Sequence, residues 1–433
     1  MKKQVLILSV LAFSAALTFA QDKKGGDHDD HDSKGSTTNE AYVEQDGEEN
    51  FSGILQDETS TAKATVYQSG EENESMVEQT GRDNTAEVDQ NGEDNWSSID
   101  QRDQDNLARV EQRGSDNASM ITQKSEESKA FVDQKGEDNS SRILQDDGTD
   151  NLSKVTQRSE DSNDSKDRED SKSKGSEYTN KSEIEQIEGR SNKVIIEQVG
   201  TNNWSNVKQI ESKESFVKVE QEGSGATKSR VLQSDVEESS VFIAQESYGR
   251  NSSAESFVSQ DKGEDNYATV SQRTDDVAFS KIEQTGDDNY ASVDQSTSVF
   301  TESFIAQKGD GNSATVLQTK ADSREKSGKK DDEDDRDKED HGKGEDGILS
   351  EIDQKGSDNT AYVAQYAGSD LYSTISSDGE YNTASVYQTG KGHYSSVDQQ
   401  GTWNEATVYQ SGNGNVSEVM QFNAQSSHPH QPR

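Results

Sequence analysis

From residue 41 onward, hydrophobic and polar positions alternate along the chain. In residues 75–79, Ser75, Val77 and Gln79 fall on one parity and Met76 and Glu78 on the other; Ala86, Val88 and Gln90 alternate in the same way against Glu87 and Asp89. A period of two belongs to a β-strand with one dry face and one wet face. The inward set reads small residue, aliphatic, amide, and the outward set is mostly charged or hydroxylated. The pattern predicts strands of about five residues separated by Gly-x-x-Asn turns. There glycine tolerates positive φ and asparagine hydrogen-bonds the neighbouring backbone. No stretch outside the extreme N-terminus has a helical period.

Glutamine marks the repeat. Gln45, Gln56, Gln68, Gln79, Gln90, Gln101, Gln112, Gln123, Gln134, Gln145 and Gln157 follow one another at steps of eleven or twelve residues. The ladder resumes from Gln186 to Gln245, passes a three-residue insertion, and continues from Gln260 through Gln284 and Gln295 to Gln318. A third run holds Gln354, Gln365, Gln388, Gln399, Gln410 and Gln421, with Ser376 read as the position of a missing glutamine. An aliphatic residue stands two before nearly every glutamine, as in Ile54, Val66, Val77 and Val88, a regularity that a disordered chain would not keep. One strand and turn reverses the chain, so two units make a rung of about 22 residues. Gly70, Gly92, Gly114 and Gly136, with Asn73, Asn95, Asn117 and Asn139, share one edge at that interval. Stacking about fifteen such rungs puts like residues above like, which gives an all-β, cross-β, amyloid-like β-solenoid. A buried amide without a partner costs on the order of 1–3 kcal/mol, and an in-register ladder supplies each glutamine with partners above and below.

Composition sharpens this picture. The chain has 433 residues, only 26% of them hydrophobic, and a net charge of −42. Such values ordinarily mean disorder, and internal repetition is the way out. They also argue against nucleic acid as a partner. Residues 1–20 read as a secretory signal peptide: Lys2 and Lys3 precede a short apolar run, and Thr18 and Ala20 offer a cleavage site after Ala20. No other stretch predicts a membrane span. Two acidic segments without strand parity, 158–181 and 319–347, read as disordered linkers between arrays 41–157, 182–318 and 348–421, with a flexible segment at 21–40 and a tail at 422–433. There is no cysteine, and the six histidines form no catalytic set with the repeat, so the sequence points away from an enzyme. His28, Asp29, Asp30, His31 and Asp32 read as a solvated polar tail in preference to a metal site, and no cofactor is expected. The turn acids Glu71, Glu72, Glu93, Asp94, Asp116, Glu137 and Asp138 line one edge. Their repulsion reads as a brake on assembly, a solubilising gatekeeper face that keeps the chain unfolded through export; the alternative is an edge that binds Ca²⁺, although the repeated Gly-Gly-x-Gly-x-Asp pattern of calcium solenoids is absent.

The set Gln79, Gly81, Asn84, Ala86, Gln90 resembles the curlin repeat of bacterial curli subunits. It recurs as Gln284, Gly286, Asn289, Ala291, Gln295 and as Gln354, Gly356, Asn359, Ala361, Gln365, then as Gln388, Gly390, Gln399 with His393 in the asparagine position. The resemblance implies a secreted subunit that polymerises with itself into surface fibres for adhesion and biofilm matrix. It further implies export through a curli-type outer-membrane pore and a nucleator subunit as partner. Two departures from the familiar curlin are the larger number of rungs and the acidity. The alternative is a monomeric acidic β-solenoid at the cell surface that binds calcium or acts as an adhesin.

Overall fold

A computed structural model describes residues 17–20, 39–159, 180–247, 252–297, 300–319 and 347–423. The segment 21–38, most of both linkers and of the signal segment, and the tail beyond Asn423 lie outside the described residues. So does the His28–Asp32 cluster. The chain divides into two compact units, Met1–Gly200 and Thr201–Arg433, and the division falls inside the second run of glutamines.

Each unit is a parallel β-solenoid, with about 14 turns of about 23 residues in the two units together and no helix among the described residues. Alternate strands go to opposite sheets. In the first unit Glu40–Glu48 pairs with Lys63–Glu71, which pairs with Thr85–Glu93, while Phe51–Ser60, Glu74–Arg82 and Trp96–Arg102 build the facing sheet. Like residues align: Val66 lies beside Val88, and Val88 beside Val110, in one sheet; Ile54, Val77, Ile99 and Ile121 align in the other. These aliphatics are at most 4% exposed and form the dry centre of every rung. The second unit repeats the arrangement from Asn203–Ile210 to Val416–Phe422.

The strands are longer than five residues. Apart from Leu17–Ala20 they run from seven, as in Trp96–Arg102, to twelve, as in Ala226–Glu237. The ladder of parallel backbone hydrogen bonds continues through the glycine into the turn, with Gly47, Gly70, Gly92, Gly114 and Gly136 in register. A side chain does not fit at these glycines: Gly70 has φ of 113°, and a Cβ there would lie 2.1 Å from the carbonyl oxygen of Gly92. Three of the twelve-residue steps carry the extra residue as a bulge just after the glutamine, at Asp57–Ser60, Asp146–Thr149 and Tyr366–Ser369.

The acidic segments do not interrupt the stacks. Ser140–Thr149 pairs with Lys181–Ile187 across the first, and Thr301–Lys308 pairs with Ile348–Ser357 across the second. Leu17–Ala20, from the end of the signal segment, lies parallel to Phe51–Ser60 with Ala20 beside Gln56.

Candidate functional site

The repeat builds two facing interior columns of glutamine in each unit. In the first unit Gln45 donates to Gln68 at 2.6 Å, Gln68 to Gln90 and Gln90 to Gln112 at 2.8 Å, and Gln112 to Gln134 at 2.9 Å. The facing column runs through Gln56, Gln79, Gln101, Gln123 and Gln145, each step 2.9 Å. In the second unit Gln284 leads through Gln307 to Gln354 at 3.0 Å per step, and Gln295 leads through Gln318 to Gln365 at 2.9 Å. Gln365 continues through Gln388 to Gln410 at 2.8 Å per step, and Gln399 donates to Gln421 at 2.9 Å. Each interior amide also caps backbone: Gln79 Nε2 donates to the carbonyls of Lys63 at 3.0 Å and Asn84 at 3.1 Å. The amide thereby ties its strand to both strands of the opposite sheet that flank it, a fully satisfied buried polar network.

Ser376 does not occupy the ladder. Ser377 does: it sits between Gln354 and Gln399 in register, and its hydroxyl donates to Gln399 Oε1 at 3.3 Å. The step from Gln365 is one of twelve residues, whose bulge at Tyr366–Ser369 moves the column by one.

Asparagines form a second amide column at the turn. Asn95 donates to Asn73 Oδ1 at 2.9 Å and to the Gly114 carbonyl at 2.8 Å, Asn117 repeats both bonds on Asn95 and Gly136, and Asn139 donates to Asn117 Oδ1 at 2.9 Å and to Ser159 Oγ at 3.1 Å. The residue just before each asparagine is left-handed although it is not glycine: Glu72, Asp94, Asp116 and Asp138 have φ between 52° and 55°. Aspartate tolerates that region better than most residues, so backbone geometry and charge select the same residue type there. In consequence the acids form an in-register column. The Glu72 carboxyl is held above its ordinary range by the charge of Asp94 and a hydrogen bond with it, and Asp116 is raised by burial and then by Asp138 and Asp94.

The small position differs between sheets. Ala64, Ala86, Ala108 and Ala130 line one, and Ser52, Ser75, Ser97 and Ser119 the other, their hydroxyls buried without a partner. They face the amide columns, where related hydroxyls do bond, as Ser153 to Gln186 Oε1 at 2.8 Å.

His393 fills an asparagine position and is 1% exposed. Its Nδ1 accepts the Asn415 N–H at 3.2 Å, which leaves Nε2 to donate to the Thr389 carbonyl at 3.0 Å.

The ends of the stacks are open among the described residues. Glu40–Glu48, the first repeat strand of the first unit, is paired along one edge, as are Glu405–Asn413 and Val416–Phe422, the last strands of the second unit. Because glutamine donates in the chain direction, Gln410 and Gln421 present their amide N–H groups without an acceptor in a next rung. Gln45 and Gln56 present Oε1 without a donor. Apolar side chains crowd the C-terminal end, with Tyr409 at 75%, Val416 at 71% and Phe422 at 64% exposure.

Compared with known families, the curlin associated repeat matches residues 62–92, 351–379 and 396–422. No curated protein matches the chain at a significant level.

Proposed function

We propose that this chain, which carries curlin associated repeats in three segments, is the structural subunit of a cell-surface fibre that grows by adding copies end to end. The observation that carries this reading is the complementarity of the two open ends. Glu405–Asn413 reads Glu-Ala-Thr-Val-Tyr-Gln-Ser-Gly-Asn, and Glu40–Glu48 reads Glu-Ala-Tyr-Val-Glu-Gln-Asp-Gly-Glu. Placed as the next rung, a second copy sets Ala41 on Ala406, Val43 on Val408, Gln45 on Gln410 and Gly47 on Gly412. The glutamine amides that lack a next-rung acceptor in one copy then meet the Oε1 atoms that lack a donor in the other, and a heterologous contact of this kind propagates without closure. Secretion with loss of residues 1–20 would remove Leu17–Ala20 from the edge of Phe51–Ser60 and open that strand to a partner. The fibre would serve adhesion and biofilm matrix outside the cell, with a nucleator subunit and a curli-type pore as partners.

The test is to dilute the chain beginning at Gln21 from denaturant into neutral buffer with and without Ca²⁺, and to follow thioflavin T fluorescence and fibre diffraction. Self-seeded fibres with a meridional reflection at about 4.7–4.8 Å are expected. A stable β-rich monomer that never seeds would establish the rival, an acidic surface solenoid.

A further inference from the structure

The outer faces of the sheets are not alike. In the second unit the six strands from Ser240–Ser247 to Thr383–Lys391 are consecutive in one sheet, flanked by Phe216–Gly223 and Glu405–Asn413, and each turns three side chains outward before its glutamine. Of these outward residues one, Asp294, carries a charge. The six corresponding strands of the first unit, Glu40–Glu48 to Leu152–Arg158, carry ten charged residues at the same positions, and the facing sheet of the second unit, from Ala226–Glu237 to Leu371–Glu380, carries eight. In a chain of net charge −42 a face of this extent with a single charged residue is the exception.

The face is made of serine and threonine hydroxyls around aromatic ladders. Tyr267 and Tyr290 stack at 5.4 Å and 2°, with Phe242 5.6 Å from Tyr267; Tyr362 and Tyr387 lie 5.4 Å apart. Thr269, Ser292 and Thr315 stand in register between them. Burial, then a hydrogen bond with Tyr366, pushes the Tyr362 hydroxyl up to about 12, so it stays protonated, and burial raises the Asp294 carboxyl above its ordinary range.

We infer that this face is the surface on which a second copy of the chain packs, sheet against sheet, so that filaments associate in pairs. The inference rests on the fibre reading for its setting. Two copies of so acidic a chain repel over most of their surface, and they approach closely only where both present little charge. Six strands at about 4.8 Å and roughly 18 Å of strand length give a plane on the order of 500 Å² per copy. Sheets packed about 10 Å apart over that plane bury on the order of 1,000 Å² in total, near the lower bound of a specific interface. A filament repeats the contact at every subunit, so a weak contact between two monomers becomes a strong one between two filaments. Tyrosine and threonine also suit such a surface, because they bury apolar area while their hydroxyls find partners across the sheet gap.

The test compares the full chain with Thr269→Glu/Thr315→Glu and with a control of equal charge on the opposite sheet, Thr374→Glu/Ser376→Glu, by mass per length of the filaments in electron microscopy. The parent and the control are expected to give filaments of twice the mass per length of the Thr269/Thr315 variant, with equal elongation rates in all three. Equal mass per length in all three overturns the inference, as do single filaments of the parent chain. Parent filaments that are single and sediment with a polysaccharide would assign the face to glycans instead. Should no filament form, the fibre reading fails separately, and sedimentation of the soluble chain decides this one: a dimer of the parent and control that the Thr269/Thr315 variant loses supports it, and a monomer throughout refutes it.

Discussion

Replacing Gln123 by glutamate is expected to open the rungs around it at neutral pH. Gln123 accepts from Gln101 and donates to Gln145, each at 2.9 Å, and to the carbonyls of Ser128 at 2.9 Å and Leu107 at 3.3 Å. It is 0% exposed. A carboxylate keeps the acceptor for Gln101 but faces three oxygen atoms where the amide offered hydrogens. An uncompensated buried charge of this kind costs on the order of 3–5 kcal/mol, whereas Gln123→Leu, which orphans the neighbouring amides and carbonyls, costs about 1–3 kcal/mol for each group left unsatisfied. Met120→Gln, on an outward position of the same strand, falls within about 0.5 kcal/mol of the parent.

The pH dependence separates charge from packing. The buried glutamate has its folded pKa raised above its unfolded value of about 4.3. The penalty is complete above the folded pKa, falls away as pH drops through it, and its charge component is absent below about 4.3. Once protonated, the acid O–H can replace the lost bond to Gln145. Hydrogen exchange in Trp96–Arg102, Ala118–Glu126 and Ser140–Thr149, with the guanidinium midpoint, reads the effect. Stability loss shared equally by Gln123→Glu and Gln123→Leu at every pH would contradict a ladder held by amide donors. Because each rung contacts its neighbours alone, protection should fall over adjacent rungs and recover with distance.

The interior of the fold was legible because stacking makes each column a constraint repeated many times. Valine or isoleucine, glutamine, glycine and asparagine recur wherever a substitution would break contact with two rungs at once. Where the sequence reading failed, one residue served two purposes or one residue was inserted. Ser376 was taken for Ser377 because a twelve-residue step does not say where its extra residue lies; Gly379, two residues beyond Ser377 as Gly356 is two beyond Gln354, fixes the register. The acids before each asparagine were read for their charge, while their left-handed backbone went unseen. The strands came out too short because glycine was read as a terminator, although a parallel ladder passes through it. The sparsely charged face was hidden for a further reason. Outward residues become a surface only after alternate strands are assigned to different sheets, and the −42 average conceals how unevenly the charge is spread.

The acidic column at the turn is expected to set the rate of assembly. In the folded stack Glu72, Asp94, Asp116 and Asp138 are held one rung apart, whereas the unfolded chain separates them by 22 residues. Folding and growth therefore bring like charges together. The raised carboxyl of Glu72 is the equilibrium sign of that repulsion, and Asp116 is raised first by burial and then by its charged neighbours Asp138 and Asp94. For an acid whose folded pKa lies above its unfolded one, the folded state binds more protons in the interval between them, so stability is greatest below the unfolded value near 4 and is lost as pH rises through the folded pKa. Lag times should accordingly shorten as pH falls from 7 toward 4, and also with added salt, which screens the exposed edge. Replacing the four residues by asparagine, which keeps the left-handed backbone and removes the charge, should shorten the lag at pH 7 and low ionic strength by roughly threefold or more and flatten its response to both pH and salt. Calcium distinguishes screening from binding: if Ca²⁺ shortens the lag by neutralising this column, the asparagine variant loses the response, and if the variant keeps it the ion acts elsewhere. A parent chain whose lag is indifferent to pH, salt and Ca²⁺ would leave the acids with their conformational role in the turn and no part in timing.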